Sequence, residues 1–129
     1  MIAVALGIGC DRGASLATLE AALDAAAAEL GPLAIRCLAS IDRKGDEPAI
    51  LALAASLGVP LRLYDAETLA RVAVPSPSAT VQRIMGTPSV CEAAALLAGG
   101  SRTLLVPKRP YRGADGKHAT IALAVATDQ

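Results

Sequence analysis

Short apolar runs alternate with segments of helical periodicity along the chain. Ile2 to Leu6 is a continuous apolar run, typical of a buried strand. After Ser15, a favourable N-cap residue, apolar side chains recur at helical spacing as far as Leu30, and Gly31-Pro32 ends the pattern. Leu33 to Ser40 is apolar again and predicts a second strand.

The same alternation continues in the second half of the chain. Asp46-Glu47-Pro48 predicts a second helix that begins with a capping carboxylate and ends at Gly58. The other predicted strands are Val59 to Leu63, Thr103 to Val106 and Ala119 to Ala126. The other predicted helices are Ala66 to Arg71, Ser78 to Gly86, and one that is capped at Thr87 and runs to Leu97.

This order of elements predicts a three-layer α/β/α single domain over residues 1–129, with a mixed, mostly parallel sheet. The last two strands are joined without a helix and are expected to pair antiparallel. Ligands of such folds bind beyond the carboxyl ends of the parallel strands. That edge would carry the turns Gly7–Gly13 and Ser40–Glu47 and the helix starts at Ser78 and Thr87.

The first of these turns has the composition of an anion site. Glycines expose backbone N–H groups, the following helix start adds partial positive charge, and Arg12 adds a full charge. A tight turn without a ligand explains Gly7, Gly9 and Gly13 equally well. Their spacing matches neither a Walker loop nor a dinucleotide fingerprint, which disfavours a nucleotide enzyme.

The Ser40–Glu47 segment has the densest charge. It is either a solvated turn with a helix cap or the edge of a site, where Lys44 meets an anion and Asp42 or Glu47 orients it or transfers a proton.

A second charged cluster comprises Lys108, Arg109, Arg112 and Lys117. It suits a polyanionic small molecule, and the stretch Arg109 to His118 is interpreted as either a plain hairpin loop or a mobile flap.

Composition narrows the class of protein. The chain is 53% hydrophobic and 19% charged, as in globular domains, and its zero net charge and 2% aromatic content disfavour nucleic-acid binding. No apolar run reaches the about 18 residues of a membrane span. No signal peptide is recognised, so a cytoplasmic location is expected.

The three cysteines form no metal-binding motif. Cys10, Cys37 and Cys91 are widely spaced without a CxxC pair, so we expect free thiols and no metal site. A nucleophilic Cys10 would have only His118 as an imidazole partner, and that residue is expected in a solvated loop. A half-buried thiol is therefore favoured over a thiol enzyme.

Five motifs together span nearly the whole chain. They are Gly7-Ile8-Gly9-Cys10 with Arg12-Gly13; Ile41-Asp42, Lys44 and Asp46-Glu47; Pro75-Ser76-Pro77-Ser78; Gly86-Thr87-Pro88-Ser89-Val90 with Glu92-Ala93-Ala94; and Val106-Pro107-Lys108-Arg109. In this order they resemble the CobE / CbiG C-terminal domain family of cobalamin (vitamin B12) biosynthesis. The resemblance implies a three-layer α/β domain and a corrin precursor as ligand, whose carboxylates require Arg, Lys, hydroxyls and helix N-termini.

Candidate site residues follow from these motifs and from the predicted sheet edge. The candidate acid–base residues are Asp42, Lys44 and Glu47. The candidate ligand-binding residues are Gly7, Gly9, Cys10, Arg12, Gly13, Ser76, Ser78, Thr87, Ser89, Glu92 and Lys108. No cofactor is expected. The family often has a basic residue at position 11, where this chain has Asp11, so more weight falls on Arg12.

The resemblance implies a pathway and leaves the reaction open. A binding or carrier module for a precorrin-type intermediate is favoured, because no nucleophile–base pair is evident. The alternatives are an enzyme that opens a lactone or promotes a fragmentation or rearrangement, as in cobalt-precorrin-5A hydrolase, and a structural partner of another pathway protein. In the CbiG proteins this domain follows others. Expected partners are the precorrin and other pathway enzymes, with no nucleic acid and no membrane.

Overall fold

A computed structural model describes residues 1–28, 30–72 and 90–127 of the chain. In chain order the elements are β1 (Ile2–Cys10), α1 (Leu16–Ala27), β2 (Leu33–Ile41), a 3-10 turn (Asp42–Lys44), α2 (Pro48–Leu57), β3 (Leu61–Tyr64), α3 (Ala66–Ala70), α4 (Val90–Gly99), β4 (Leu104–Arg112) and β5 (His118–Val125). The expected turn at Pro75–Ser78, helix Ser78–Gly86 and cap at Thr87 lie outside the described residues. No described helix has the length and apolar character needed to cross a membrane.

The five strands form one mixed sheet in the order β3-β2-β1-β5-β4. β1 and β3 each pair with β2 in parallel, and β5 pairs antiparallel with both β1 and β4. The expected mixed sheet with an antiparallel last pair is therefore confirmed. Because β5 runs against β1, the start of β5 lies beside the end of β1, where Cys10 pairs with Ala119.

Helices cover both faces of the sheet, which confirms the three-layer architecture. Alternate residues of β1, namely Val4, Leu6 and Ile8, are fully buried in the cluster that contains the apolar residues of α1 and α2. The opposite face packs against α3 and α4 and consists mostly of alanine, glycine and cysteine. Small side chains allow α4 to lie very close to the sheet.

Gly7 marks the closest approach of α4 to β1. A Cβ atom on Gly7 would lie 1.8 Å from the carbonyl oxygen of Cys91. The expectation that the first strand ends at Leu6 and that Gly7 and Gly9 belong to a turn is wrong, because β1 extends to Cys10. Pairing with a strand on each side outweighs the low strand propensity of glycine.

The β4–β5 connection is shorter than expected. Both strands extend into the segment interpreted as a loop or mobile flap, which leaves residues 113–117 between them. Asp115 anchors this loop to the start of α1, because its carboxylate accepts hydrogen bonds from Ser15 N and Thr18 Oγ1, both at 2.9 Å. Gly113 also packs directly against Thr18. The segment is therefore a hairpin whose loop is anchored to α1, which agrees with the hairpin interpretation.

Asp115→Asn is expected to lower the melting temperature at neutral pH and to have less effect in acid. Hydrogen bonds from Ser15 N–H and Lys117 N–H lower the pKa of Asp115 from 3.8 to about 2. A lowered pKa stabilises the fold above the unfolded-state value, and this stabilisation is lost as the pH falls through about 2. Thermal melts across this range, with exposed Asp24→Asn as control, test the prediction. If the variant's melting temperature were lowered by the same amount at every pH, the prediction would be contradicted.

Candidate functional site

A cavity of about 460 Å³ lies at the carboxyl ends of β1 and β2, beside the first described residues of α4 and the start of β5. This is the sheet edge at which the fold predicts ligand binding. The wall is formed by Gly9, Cys10, Asp11, Arg12, Ser40, Ile41, Arg43, Lys44, Val90, Cys91, Lys108, His118 and Thr120.

The charge of this wall is strongly unbalanced. Its described residues include Arg12, Arg43, Lys44 and Lys108 but one carboxylate, Asp11, although the chain has zero net charge. Within the described ranges, ion pairs within 4.0 Å join Arg12 to carboxylates but involve none of the other three cations. A concave surface lined by one sign of charge concentrates ligands of the opposite sign.

Internal hydrogen bonds hold two of these cations in place. Arg12 Nη1 lies 2.9 Å from Asp46 Oδ1, and Arg12 Nη2 donates to the carbonyl oxygen of Arg43 at 3.2 Å. Arg12 thereby lowers the pKa of the Asp46 carboxyl. Lys44 Nζ donates to the carbonyl oxygen of Cys10 at 2.6 Å, which places its ammonium group at the end of β1.

Glu47 is buried behind the cavity wall and positions residues near it. Its side chain is 2% exposed and does not line the cavity. Oε1 accepts a hydrogen bond from Gly13 N at 3.3 Å, and Oε2 lies 3.9 Å from Arg12 Nη1. Glu47 is the N-cap residue of α2, but its side chain does not cap that helix, contrary to expectation. The geometry therefore favours positioning of the residues 12–13 turn over proton transfer to a ligand.

The anion site expected at the start of α1 is occupied by the protein itself. Glu47 accepts from Gly13 N, and Asp115 accepts from Ser15 N. Asp11 O accepts from Ala14 N at 3.1 Å. Carboxylates at a helix N-terminus offset its partial positive charge. Carboxylates from other segments of the chain therefore occupy the N–H groups that the sequence pattern offers to a ligand.

Glu92 positions Lys108 in a comparable way. Its side chain is fully buried, and Oε2 accepts a hydrogen bond from Lys108 N at 2.8 Å. The β4–β5 register shifts between Val106 and Arg109, so Lys108 lies in a β-bulge. Bulges redirect side chains, and Lys108 is one of the residues that line the cavity.

Cys10 is held as a neutral thiol. Burial raises its pKa from 9.0 to about 11, more than nearby Lys44 lowers it. Its Sγ donates a weak hydrogen bond to Glu47 Oε1 at 3.9 Å. This environment agrees with a half-buried thiol and disfavours a thiolate nucleophile at neutral pH.

Cys10 is expected to be alkylated by iodoacetamide much more slowly in the folded protein than in urea, because the thiolate is the reacting form. The rate of Cys10 alkylation in the folded protein should keep rising with pH until the pH approaches about 11. Peptide mapping by mass spectrometry gives the rate at this site, with the urea-unfolded chain as reference. Rapid labelling of folded Cys10 at neutral pH would contradict the assignment.

Asp11 and His118 form a pair on the cavity wall. Asp11 Oδ2 lies 3.1 Å from His118 Nδ1 and accepts from His118 N at 2.8 Å. The hydrogen bond from the backbone N–H of His118, followed by that from its ring, lowers the pKa of Asp11. His118 was expected in a solvated loop. Its side chain is exposed as expected, but the residue begins β5 instead of lying in a loop. The antiparallel pairing of β5 with β1 brings it to the cavity.

The structure brings together only some of the sequence candidates. Those that line the cavity are Gly9, Cys10, Arg12, Lys44 and Lys108. Those that lie elsewhere are Gly7, Gly13, Asp42, Glu47 and Glu92, and Asp42 is exposed on the 3-10 turn. The candidates outside the described residues are Ser76, Ser78, Thr87 and Ser89.

Sequence reasoning missed several wall residues, chiefly Arg43 and His118. Arg43 lies in the densely charged segment, and that density was the available signal. His118 reaches the wall only because β5 is the neighbour of β1, and strand order leaves no local mark in the sequence. The same holds for Thr120, which pairs with Gly9.

Fold and cavity together define a three-layer α/β domain with a cationic cavity at the carboxyl edge of its parallel strands. The family model described as "Cobalamin synthesis G C-terminus" matches residues 4–124. The chain belongs to this family and is a cobalamin biosynthesis protein of the CobE/CbiG type. The resemblance drawn from the five motifs is thereby confirmed.

Individual relatives agree with this assignment. "Protein CobE" of a Sinorhizobium species is 37% identical over 123 residues, which cover 92% of this chain and 77% of that protein. Cobalt-precorrin-5A hydrolase of Priestia megaterium is 33% identical over 108 residues, which cover 82% of this chain but 29% of the hydrolase.

Solved structures show the same fold. The crystal structure of CobE, described as a protein from the cobalamin (vitamin B12) biosynthetic pathway, has a TM-score of 0.80 and 39% identity, over 99% of this chain and 93% of that one. The cobalamin biosynthesis protein chiG of Agrobacterium tumefaciens has a TM-score of 0.69 and 30% identity, over 97% of this chain and 99% of that one.

Proposed function

We propose that this domain binds a corrin precursor of cobalamin biosynthesis in its cationic cavity and acts as a binding or carrier module. One observation carries the proposal: four lysine and arginine residues line one cavity, and the described part of its wall has a single carboxylate, in a chain of zero net charge. The family assignment indicates the pathway, and the charge of the cavity wall indicates that the ligand is an anion.

The wall suits a polycarboxylate macrocycle. Corrin precursors carry acetate and propionate groups around an apolar ring, and arginine and lysine bind such carboxylates by charge-assisted hydrogen bonds. Ile41 and Val90 provide aliphatic surface on the same wall, where no phenylalanine, tyrosine or tryptophan is found among the described lining residues. Pockets for drug-sized molecules measure roughly 300–1,000 Å³. A larger macrocycle would therefore insert one edge and keep its centre near the rim.

An enzymatic role is the second candidate, since one relative is a cobalt-precorrin-5A hydrolase. Of the three acid–base candidates, Lys44 alone belongs to the described cavity wall. This chain spans 29% of that hydrolase, so the activity of the whole enzyme does not transfer to it directly. The carrier role needs only the wall described above.

Titration with matched corrinoids tests the binding proposal. Cobyrinic acid, whose side chains are carboxylates, is expected to bind at least about tenfold more tightly than cobinamide, in which they are amidated, since tenfold corresponds to about 1.4 kcal/mol. Its affinity should fall with added salt, because exposed charges are screened over about 10 Å at 0.1 M ionic strength. Failure of cobyrinic acid and of every precorrin tested to bind at low salt would overturn the proposal.

Single-charge variants locate the site. Lys108→Ala and Arg43→Ala are each expected to lower affinity about tenfold or more, because a charged hydrogen bond contributes about 1.5–3 kcal/mol. Arg36→Ala and Arg102→Ala remove positive charges at exposed residues that are not among the described lining of the cavity, and they are the matched controls. Equal losses in test and control variants would show that the cavity is not the site.

Mass spectrometry of the bound precorrin separates carrier from enzyme. An unchanged ligand mass after prolonged incubation supports a carrier. Complete conversion by substoichiometric protein would establish catalysis and remove the carrier role.

A further inference from the structure

The cavity continues onto an open part of the sheet. At the end of β1, Gly9 pairs with Thr120 of β5, and Thr120 pairs with Pro110 of β4. One row further along, His118 pairs with Arg112. Gly9, Thr120 and His118 line the cavity, whereas Pro110 and Arg112 are exposed beside it. We call Pro110, Arg112, His118 and Thr120 the β4–β5 surface.

The side chains of the β4–β5 surface lie on the same side of the sheet as the cavity. Ala122 and Ala124 of β5 pack against α4, and side chains at alternate positions of a strand share a face, so Thr120 and His118 face that side too. Paired residues of antiparallel strands also share a face, so the Cβ atoms of Arg112 and His118 lie about 4.5–5.5 Å apart. Arg112 therefore extends the cationic wall towards β4.

Arg112 has no partner of its own on this surface. Within residues 1–28, 30–72 and 90–127, no ion pair within 4.0 Å and no hydrogen bond involves its guanidinium group. The carboxylate of Asp11 is engaged by the backbone N and Nδ1 of His118. The carboxylate of Asp115, in the loop after β4, accepts hydrogen bonds from the start of α1. The Arg112 guanidinium group is thus available to an anionic ligand.

The shape of the β4–β5 surface suits a flat ligand. The row Gly9, Thr120 and Pro110 has only small side chains. It spans three adjacent strands, and two strand spacings amount to about 10 Å, a distance that a macrocycle with acetate and propionate arms can cover. Pro107 and Pro110 lie in the edge strand β4, where proline opposes pairing with a further strand. A small ligand therefore suits this surface better than a strand of a partner protein.

Carboxylates disfavour extension of the ligand in the opposite direction. The 3-10 turn beside the cavity begins with exposed Asp42, and Asp46 follows with 77% of its side chain exposed. Like charges would repel the carboxylates of a ligand that lay over this turn. Across β5, by contrast, the next charged side chain on the cavity side of the sheet is that of Arg112.

We propose that the corrin precursor extends out of the cavity across the β4–β5 surface and that Arg112 binds one of its peripheral carboxylates, an inference that rests on the corrin binding proposed above. One edge of the macrocycle occupies the cavity among the cations of its wall. The ring lies over Thr120 and Pro110, and the opposite edge reaches Arg112. Arg112 is thereby a specificity-determining residue, because it favours ligands that have carboxylates on both edges of the ring.

Substitution of Arg112 tests this contact. Hydrogenobyrinic acid, a metal-free corrin whose side chains are carboxylates, is the probe. Arg112→Ala is expected to weaken its binding to the full chain about tenfold, because a charged hydrogen bond is lost. The dependence of affinity on salt should also become weaker, since one attraction between exposed charges is removed. Arg112→Lys retains the charge and should restore most of the salt dependence.

Arg109→Ala is the matched control. Arg109 lies on the same strand, but it pairs with Ile121 of the buried cluster and lines a small pocket together with Ala25 and Ala26 of α1. Its side chain is therefore on the opposite face of the sheet. The variant removes the same charge from the same strand and should leave the affinity for hydrogenobyrinic acid nearly unchanged.

Chemical modification tests the contact in the unaltered protein. Phenylglyoxal reacts with accessible guanidinium groups, and peptide mapping by mass spectrometry gives the rate at each arginine. Saturating hydrogenobyrinic acid should slow the modification of Arg112 several-fold and leave that of Arg109 unchanged.

The outcomes separate this inference from the proposed function. If hydrogenobyrinic acid does not bind at low salt, both fail. If it binds and Arg43→Ala weakens binding, but Arg112→Ala does not and Arg112 is not protected, the cavity remains the site and its extension over β4 is overturned. Equal losses in Arg112→Ala and Arg109→Ala would indicate a general charge effect and would also overturn the inference. So would weaker binding by Arg112→Ala without protection of Arg112 in the unaltered protein.

Discussion

Gly7→Ala is expected to destabilise the protein by about 3 kcal/mol or more, at the upper end of the range for overpacked cores. The new Cβ would lie 1.8 Å from the carbonyl oxygen of Cys91 and 3.0 Å from the Cβ of Ala95. The nearest obstacle is backbone, so no side-chain rotation relieves it. α4 must move away from β1, and the alanine-rich contact between them is lost. Urea denaturation followed by circular dichroism measures the change.

Gly9→Ala is the matched control for this stability prediction. Gly9 lies two residues further along β1, and no atom of the described residues lies within 4 Å of a Cβ placed there. Its stability should equal or slightly exceed that of the parent, because glycine within a strand costs about 0.5–1 kcal/mol relative to alanine. An unchanged urea midpoint for Gly7→Ala would contradict the close packing of α4 on β1.

Gly9→Val is expected to lower corrinoid affinity roughly tenfold or more, equivalent to about 1.4 kcal/mol or more, while leaving the fold intact. Gly9 lines the cavity. Side chains at alternate positions of a strand point to the same face, so a side chain at position 9 projects to the α4 side of the sheet, as at Gly7. Val90 and Cys91 also line the cavity on that side. Valine is favourable in strands, and thermal stability should therefore be preserved. Titration with cobyrinic acid and a melting curve give the two readouts.

The size of the substituted side chain provides an internal control for the binding prediction. Gly9→Ala should reduce affinity less than Gly9→Val, because it fills less of the cavity. Undiminished binding by a folded Gly9→Val variant would place the ligand elsewhere. Loss of folding in this variant, rather than loss of binding, would contradict the open space found next to Gly9.

The two glycines illustrate how far sequence reasoning reaches. Both lie in one glycine-rich motif and were given the same role, yet one meets a helix backbone and the other faces a cavity. The motif indicates that both positions lack a side chain because of a structural or functional constraint. Which reason applies depends on where α4 lies, and no residue near Gly7 in the sequence encodes that position.

The two buried glutamates show the same difference between what the sequence indicates and what the tertiary structure decides. Glu47 was expected to cap a helix or to act as an acid–base residue, and Glu92 was expected to bind the ligand. Each instead accepts a hydrogen bond from a backbone N–H of a distant segment, at Gly13 and at Lys108. Carboxylates in interiors require such partners, but the identity of the partner follows from packing across the sheet.

Local patterns by themselves determined the order of the helices and strands among the described residues, the cap of α1 at Ser15, the antiparallel last pair and the family. These features depend on periodicity, turn chemistry and short motifs, which involve residues close together in the chain. Tertiary structure alone decided that β5 lies beside β1, and with it the approach of His118 to Asp11 and the cavity wall. Strand order arises from burial of whole faces of the sheet, a free energy shared among many distant residues, and therefore leaves no mark at any single position.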